Sequence, residues 1–295
     1  MTNKCNQKCR LCGSADCDEP IQLKEMMFGT REVFDYFRCQ ACDTLQIAEI
    51  PEDMGRFYPA DYYSFAPSMP KRTLRQRVRR LFRSDPLPKW LEGIGLKANV
   101  LDIGSGGGDL LHSMHDWGFR SLTGFDPFLN ACHDLPNGIK LTNEEPTGSF
   151  DLVMMHHALE HVPDPAESLA SARRFVRRGG RIVIRIPVRQ GYAWRTFGKD
   201  WAHLDPPRHH TLWTAQGFIR FAEGCNLKIT DWGFDGTLFS LVYSELFAQD
   251  IAMKGPGSAP PSLTTTRRDE LNALSATLNE SGDGDCAWFV LESLS

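Results

Sequence analysis

The chain has 295 residues, 41% hydrophobic and 24% charged, the balance of a soluble globular protein with room for one large domain or a medium domain plus a small one. Its net charge of −4 excludes a uniformly basic nucleic-acid binder, though not a local basic patch. No apolar run reaches the roughly 18 residues of a membrane span, and the polar N-terminus has no apolar signal core, so a cytoplasmic protein is expected.

Residues 1–62 hold six of the nine cysteines. In a cytosolic setting that density points to a metal site rather than disulfides. "CRLCG" and "CQAC" are two CxxC knuckles, 26 residues apart, that offer Cys9, Cys12, Cys39 and Cys42. Four thiolates complete a tetrahedral zinc shell, so a four-cysteine, zinc-ribbon-like module is expected. A closed shell leaves no open position for chemistry, and the zinc is assigned to folding. Cys5 and Cys17 are read as incidental thiols or spare ligands.

Residues 63–92 are read as a linker. Within it "KRTLRQRVRRLFR", Lys71 to Arg83, has seven basic residues, no acid, and apolar residues at helical spacing. A basic amphipathic helix there would meet RNA, a nucleotide-sugar diphosphate or an anionic surface, or pack its apolar side on the next domain.

Residues 93–295 alternate short apolar runs with helical stretches. "NVLDIG", "SLTGFD", "FDLVMMHH" and "RIVIRIP" read as strands, with "DLLHSMHDWG" and "PAESLASARRFVRRGG" as helices between them. That alternation predicts a doubly wound parallel α/β sheet. A strand is hard to find between Asp126 and Phe150, where only "IKLTNEEPTG" is available. Near the C-terminus "LKITDWGFD" and "CAWFVLE" read as strands, and "LFSLVYSELFAQDI" and "RRDELNALSATLNE" as helices.

The turn after the first of these strands has Gly104, Gly106 and Gly108, a G-x-G-x-G spacing. The dinucleotide fingerprint wants its third glycine where Asp109 stands, and a P-loop needs a lysine that is absent. Asp102 in the turn is unfavourable beside a pyrophosphate and suits a cationic or hydroxylated ligand. Asp126, 18 residues past Gly108, ends the second strand, placed to accept hydrogen bonds from ribose hydroxyls.

"VLDIGSGGGDLL", "LTGFDP", "SFDLVMMHHALEHVPDP" and "FVRRGGRIVIRIP" resemble, in order and spacing, the motifs of class I S-adenosylmethionine-dependent methyltransferases, over about residues 97 to 190. The later "HLDPPRHHTLWTAQGFIRFAEGCNLKI" is similar to a small-molecule branch that includes saccharide-pathway members with N-terminal cysteine modules. The resemblance implies a Rossmann-like seven-stranded sheet with its last strand antiparallel. It further implies that Gly104, Gly106 and Gly108 pass beneath the methionine part of S-adenosylmethionine, that Asp102 orients its ammonium, that Asp126 binds its ribose and that His156 and His157 face the sulfonium side. Asn143 or Glu144 would meet the adenine.

Methyl transfer to a hydroxyl or an acidic carbon needs a base tuned near neutrality, most often histidine. "HHALEH" offers His157 beside His156, and "WAHLDPPRHH" offers His203 and His209. In that second loop Arg208 could grip a phosphate or carboxylate, and Trp201 and the nearby Trp213 could stack on a sugar or ring. "LEHVPDP" also resembles a loop of quinone-pathway O-methyltransferases that holds a divalent metal. The corresponding positions here are His157, Glu160 and His161, and loop-fixing is the alternative role for Glu160–His161. The expected activity is methyl transfer to a small molecule, best a saccharide or nucleotide-linked sugar. The alternatives are an RNA methyltransferase and a non-catalytic cofactor-binding scaffold. Against RNA, "HHAL" stands where an N/D-P-P-Y/F motif would be.

Overall fold

The computed structural model describes residues 7–58, 87–255, 258 and 262–293. Cys5 and the basic stretch Lys71–Arg83 lie outside the described residues.

The central sheet is built from β4 (Asn99–Ile103), β5 (Ser121–Phe125), β6 (His133–Asp134), β7 (Lys140–Thr142), β8 (Phe150–His156), β9 (Val176–Pro187), β11 (Leu227–Phe234) and β12 (Cys286–Ser293). Their order across the sheet is β11-β12-β9-β8-β4-β5-β7-β6. The run β9-β8-β4-β5-β7 is parallel, whereas β12 is antiparallel to both β9 and β11. This is the seven-stranded Rossmann-like sheet with its last strand antiparallel, extended at one edge by the two-residue β6. The elusive third strand is β7, in the expected stretch but only three residues long.

Alternation sorts the strand residues onto two faces. Leu101, Val153, Met155, Ile182, Ile184, Ala287 and Phe289 pack into one buried cluster. Their neighbours Val100, Leu152, Met154, Val183, Trp288 and Val290 pack into another on the opposite face. Strands buried on both faces read as continuous apolar runs, which is why the sequence shows them clearly. Helix α1 (Asp109–Trp117) starts at Gly108 and stops at Gly118, both left-handed. Helix α2 (Pro165–Phe175) starts at Asp164, whose Oδ1 accepts from the Glu167 amide at 3.0 Å. It ends five residues earlier than the sequence suggested. Val176 already pairs with Phe150, and a β-carbon on Gly180 would lie 2.9 Å from the Asp151 carbonyl. The stretch Val176–Gly180 therefore opens β9, and strand pairing overrides its helical look.

The N-terminal cysteine unit supplies β1 (Ile21–Lys24), β2 (Val33–Arg38) and β3 (Leu45–Ile47). Their antiparallel sheet is completed by β10 (Thr211–Leu212), which comes from the far side of the chain. Leu23, Tyr36, Leu45 and Ile47 pack with Trp201, Leu204 and Leu212, and with Leu241 and Val242 of α5 (Leu238–Phe247). Between the two units Arg208, wholly buried, is ion-paired with Asp205 and, at 2.7 Å, with Glu25. Helices α3 (Gly191–Phe197), α4 (Ala215–Gly224) and α6 (Thr265–Glu280) complete the described fold. Among the described residues no helix is long and apolar enough to cross a membrane.

Candidate active site

A cavity of about 980 Å³ opens at the C-terminal ends of β4, β5 and β8, where ligands sit in doubly wound sheets. One end is the glycine turn. Gly104 has φ +74°, and a β-carbon there would lie 2.5 Å from that of Ala158, so only glycine lets the turn and the β8 loop approach so closely. Asp126 fixes the turn from the neighbouring strand. Its Oδ2 accepts from the Gly106 amide and its Oδ1 from the Phe128 amide, each at 2.9 Å. Asp102 is buried, and among the described residues its Oδ1 has no hydrogen-bond partner. Burial, with the nearby Asp126 charge, pushes the Asp102 carboxyl well above its usual range. An unpartnered buried carboxylate oxygen at this place suits a cationic group on a ligand. Burial also raises Asp126, against the pull of its two backbone donors.

The other end is an imidazole cluster. His156 ends β8 and His157 follows it, and Arg185 of β9 reaches the Nε2 of each. His157, at φ +52°, has its Nδ1 3.1 Å from Glu160 Oε1. Both of its nitrogens are thus engaged by the protein. His203 differs. Its ring stacks near His157 and lies edge-on to Trp201, and among the described residues none hydrogen-bonds its nitrogens. His209 Nδ1 donates to the His203 carbonyl at 2.7 Å. Burial lowers the pKa of His156, His157, His203 and His209, so all four favour the neutral imidazole at neutral pH.

Glu160, His161 and His209 bring one ligand atom each to within 4.8 Å of one another. Glu160 is fully buried, and among the described residues its Oε2 has no hydrogen-bond partner. His161 Nδ1 donates to the Arg208 carbonyl at 3.0 Å, as His209 Nδ1 does to that of His203, which leaves Nε2 as the ligating atom of each ring, with His209 Nε2 also 3.9 Å from Asp205 Oδ2. A divalent cation fits this donor set. It differs from the set suggested by the loop alone, because His157 hydrogen-bonds the carboxylate rather than joining the trio.

Several expectations for the "WAHLDPPRHH" loop and for other residues around the cavity need correcting. Arg208 cannot grip a phosphate, because its charge is spent on Asp205 and Glu25 inside the protein. Trp201 and Trp213 are 1% and 0% exposed, so they are core rather than stacking platforms. Asn143 and Glu144 do not line the cavity, whereas Phe128 and Glu145 do. Phe128, 76% exposed directly after "GFDP", is the flat apolar group that sequence reasoning passed over. Also missed were Met27, Ile50, Met54 and Tyr58, which line the cavity from the cysteine unit.

The four thiols of Cys9, Cys12, Cys39 and Cys42 gather within 4.8 Å, with Cys9–Cys42 and Cys12–Cys39 sulfur separations of 3.6 Å. Sulfurs about 2.3 Å from a tetrahedral zinc stand at comparable separations, so the donor set fits that ion. Gln46 Nε2 donates to Cys9 Sγ at 2.9 Å, a partner suited to a thiolate. Cys17 bridges to Cys39 through the backbone and does not join the cluster.

A family model described as a methyltransferase domain matches residues 66–231. The ubiquinone biosynthesis O-methyltransferase of Sodalis glossinidius (strain morsitans) is 36% identical over 110 residues, 32% of this chain and 44% of that one. Its counterpart in Cupriavidus pinatubonensis is 30% identical over 178 residues, 52% of this chain and 71% of that one. The chain spans less than half the length of the first curated relatives it matches, 44% and 42%. Among solved structures, the 1,6-didemethyltoxoflavin-N1-methyltransferase of Burkholderia thailandensis, with bound 1,6-didemethyltoxoflavin and S-adenosylhomocysteine, is 14% identical at a TM-score of 0.39, over 68% of this chain and 72% of that one.

Proposed function

The chain belongs to the class I S-adenosylmethionine-dependent methyltransferases, and we propose that it moves the methyl group of that cofactor to a small-molecule acceptor. The observation that carries this reading is a single cavity with an acidic glycine turn at one end and neutral imidazoles at the other. Asp102 would take the cofactor's ammonium, Asp126 its ribose hydroxyls, and Gly104, Gly106 and Gly108 its methionine backbone, with His156 on the sulfonium side. Phe128 would cover the adenine.

Methyl transfer is an in-line displacement. The acceptor oxygen forms a bond to the methyl carbon as the carbon–sulfur bond breaks, neutral S-adenosylhomocysteine leaves, and the hydroxyl proton goes to a base. His203 is the base in this reading, because its imidazole favours the neutral form and has no hydrogen bond to its nitrogens among the described residues, while His209 holds the turn that bears it. The name of the curated relatives supports oxygen as the methylated atom.

The lining supports an acceptor without phosphate. Among the described residues facing the cavity, Arg185 is the one guanidinium, no lysine is present, and Asp235 is ion-paired with Arg185 at 2.7 Å. Met27, Ile50, Met54, Phe239, Phe247 and Met253 provide apolar surface instead. A hydroxyl on an apolar body, or an unphosphorylated saccharide, suits this lining better than a nucleotide-linked sugar.

Calorimetry with S-adenosylhomocysteine tests the cofactor half, and no binding would sink the methyltransferase reading. Labelled methyl transfer into hydroxylated aromatics, saccharides, nucleotide sugars and RNA tests the acceptor half. His203→Ala should lower turnover at least about 100-fold at unchanged cofactor affinity, and near-normal turnover would remove His203 as the base.

A second reading rests on the unpartnered Glu160 Oε2: a divalent cation held by Glu160, His161 and His209. Paramagnetic resonance of added manganese should detect it in the parent chain and not in Glu160→Gln. For the cysteine cluster we propose one structural zinc, to be counted by metal analysis.

A further inference from the structure

We propose that the four-cysteine cluster anchors the acceptor-side histidines, with Arg10 and Tyr36 as positioning residues that fix the His209–His210 backbone and, through His209, the turn bearing His203. The inference rests on the reading of His203 as the group that takes the acceptor's proton.

The path is continuous in hydrogen bonds. Arg10 lies between the first two cysteines of the cluster. Its Nη1 donates to the Ile47 carbonyl at 2.6 Å and its Nη2 to the His210 carbonyl at 3.1 Å. The planar guanidinium thus spans the end of β3 and the residue that leads into β10, a two-point grip that a lysine ammonium cannot copy. Gln46 ties the same place to sulfur, since its Oε1 accepts from the Arg10 amide at 3.1 Å while its Nε2 donates to Cys9 Sγ. One residue earlier, Tyr36 Oη, wholly buried, donates to the His209 carbonyl at 2.8 Å. On the opposite side the His210 amide donates to the Glu160 carbonyl at 2.7 Å. The segment is therefore clamped between the cysteine unit and the β8 loop. From it His209 Nδ1 reaches the carbonyl of His203.

The cofactor end has a separate support. Its hydrogen bonds run from Asp126 to Gly106 and Phe128, all within the large sheet and its loops. Loosening the cysteine cluster's grip should therefore disturb the acceptor end and leave the cofactor end intact. The fold should survive loss of the Arg10 grip, because the His210 carbonyl also accepts from the Ile47 amide at 3.1 Å.

The test uses the full, zinc-loaded chain and S-adenosylhomocysteine as probe. In Arg10→Met, amide hydrogen exchange over residues 203–212 should accelerate at least about tenfold. Exchange over residues 100–126, zinc content, the urea midpoint and probe affinity should stay as in the parent. Arg10→Lys, which restores one donor, should return part of the protection. Tyr36→Phe, which deletes only the hydroxyl, should give the same local pattern and serves if Arg10→Met does not fold. Unchanged exchange over 203–212 in a folded, zinc-loaded variant overturns the inference. So does acceleration spread equally over 100–126, or failure of both variants to fold, since either marks a global role. Failure of the parent to bind the probe would overturn the methyltransferase reading instead, while the exchange pattern would still decide whether the cluster anchors the segment.

Discussion

Replacing Gly104 by alanine probes the junction on which the cofactor end depends. At φ +74° an L-residue pays about 1–2 kcal/mol of backbone strain. The new methyl would also stand 2.5 Å from the Ala158 β-carbon, and overpacking of that kind costs about 1–3 kcal/mol more. The expected loss is therefore about 2–5 kcal/mol, read from urea unfolding by linear extrapolation. Ala158 directly follows His157, so the displaced loop should also weaken S-adenosylhomocysteine binding in calorimetry. The two contributions separate in a double-mutant cycle. Ala158→Gly in the Gly104→Ala background removes the clash and leaves the strained φ, and should recover only the overpacking share. A loss under about 0.5 kcal/mol, or no recovery from Ala158→Gly, would refute the reasoning.

Asp102→Asn should weaken S-adenosylmethionine binding about 10- to 100-fold, the worth of a hydrogen bond to a charged group, as read by calorimetry. Because the folded Asp102 pKa is raised, this carboxyl favours folding below the ordinary carboxylate range and loses that contribution as pH rises through the shifted value; urea midpoints of the ligand-free asparagine variant should fall less steeply with rising pH. Arg208→Met would leave Glu25 and Asp205 buried without their cation, at a cost of about 3–5 kcal/mol, and adding Glu25→Gln should return part of it in the same urea assay. Phe128→Ala should leave stability within about 0.5 kcal/mol yet weaken cofactor binding about tenfold or more if the ring covers the adenine; unchanged affinity would take Phe128 off the adenine.

The large sheet was legible because its middle strands are buried on both faces and each ends at a turn with distinctive residues. Gly104 and Asp126 could be placed from sequence for that reason, and β7 could barely be placed, since three residues carry no period. The α2–β9 boundary was misread because "RR" after Phe175 suits a helix surface as well as an exposed strand start. Arg208 was misread for another reason. Its partner Glu25 lies 183 positions away, and no local pattern distinguishes a guanidinium spent on a distant carboxylate from one waiting for a phosphate. The grouping of Glu160 and His161 with His209, rather than with His157, likewise depends on how two separated loops meet.

The two-residue strand Thr211–Leu212 ties the history of the protein's two halves together. A unit whose sheet is finished by a strand encoded far downstream cannot be gained, lost or traded as a cassette, because cutting it out strips Leu45 and Gln46 of their partners on that side. Residues 7–58 and the segment around 203–213 are therefore one packing problem, and a substitution on one side of that seam should change what the other side tolerates. A chimera meant to carry a new acceptor preference would need both pieces from the same parent.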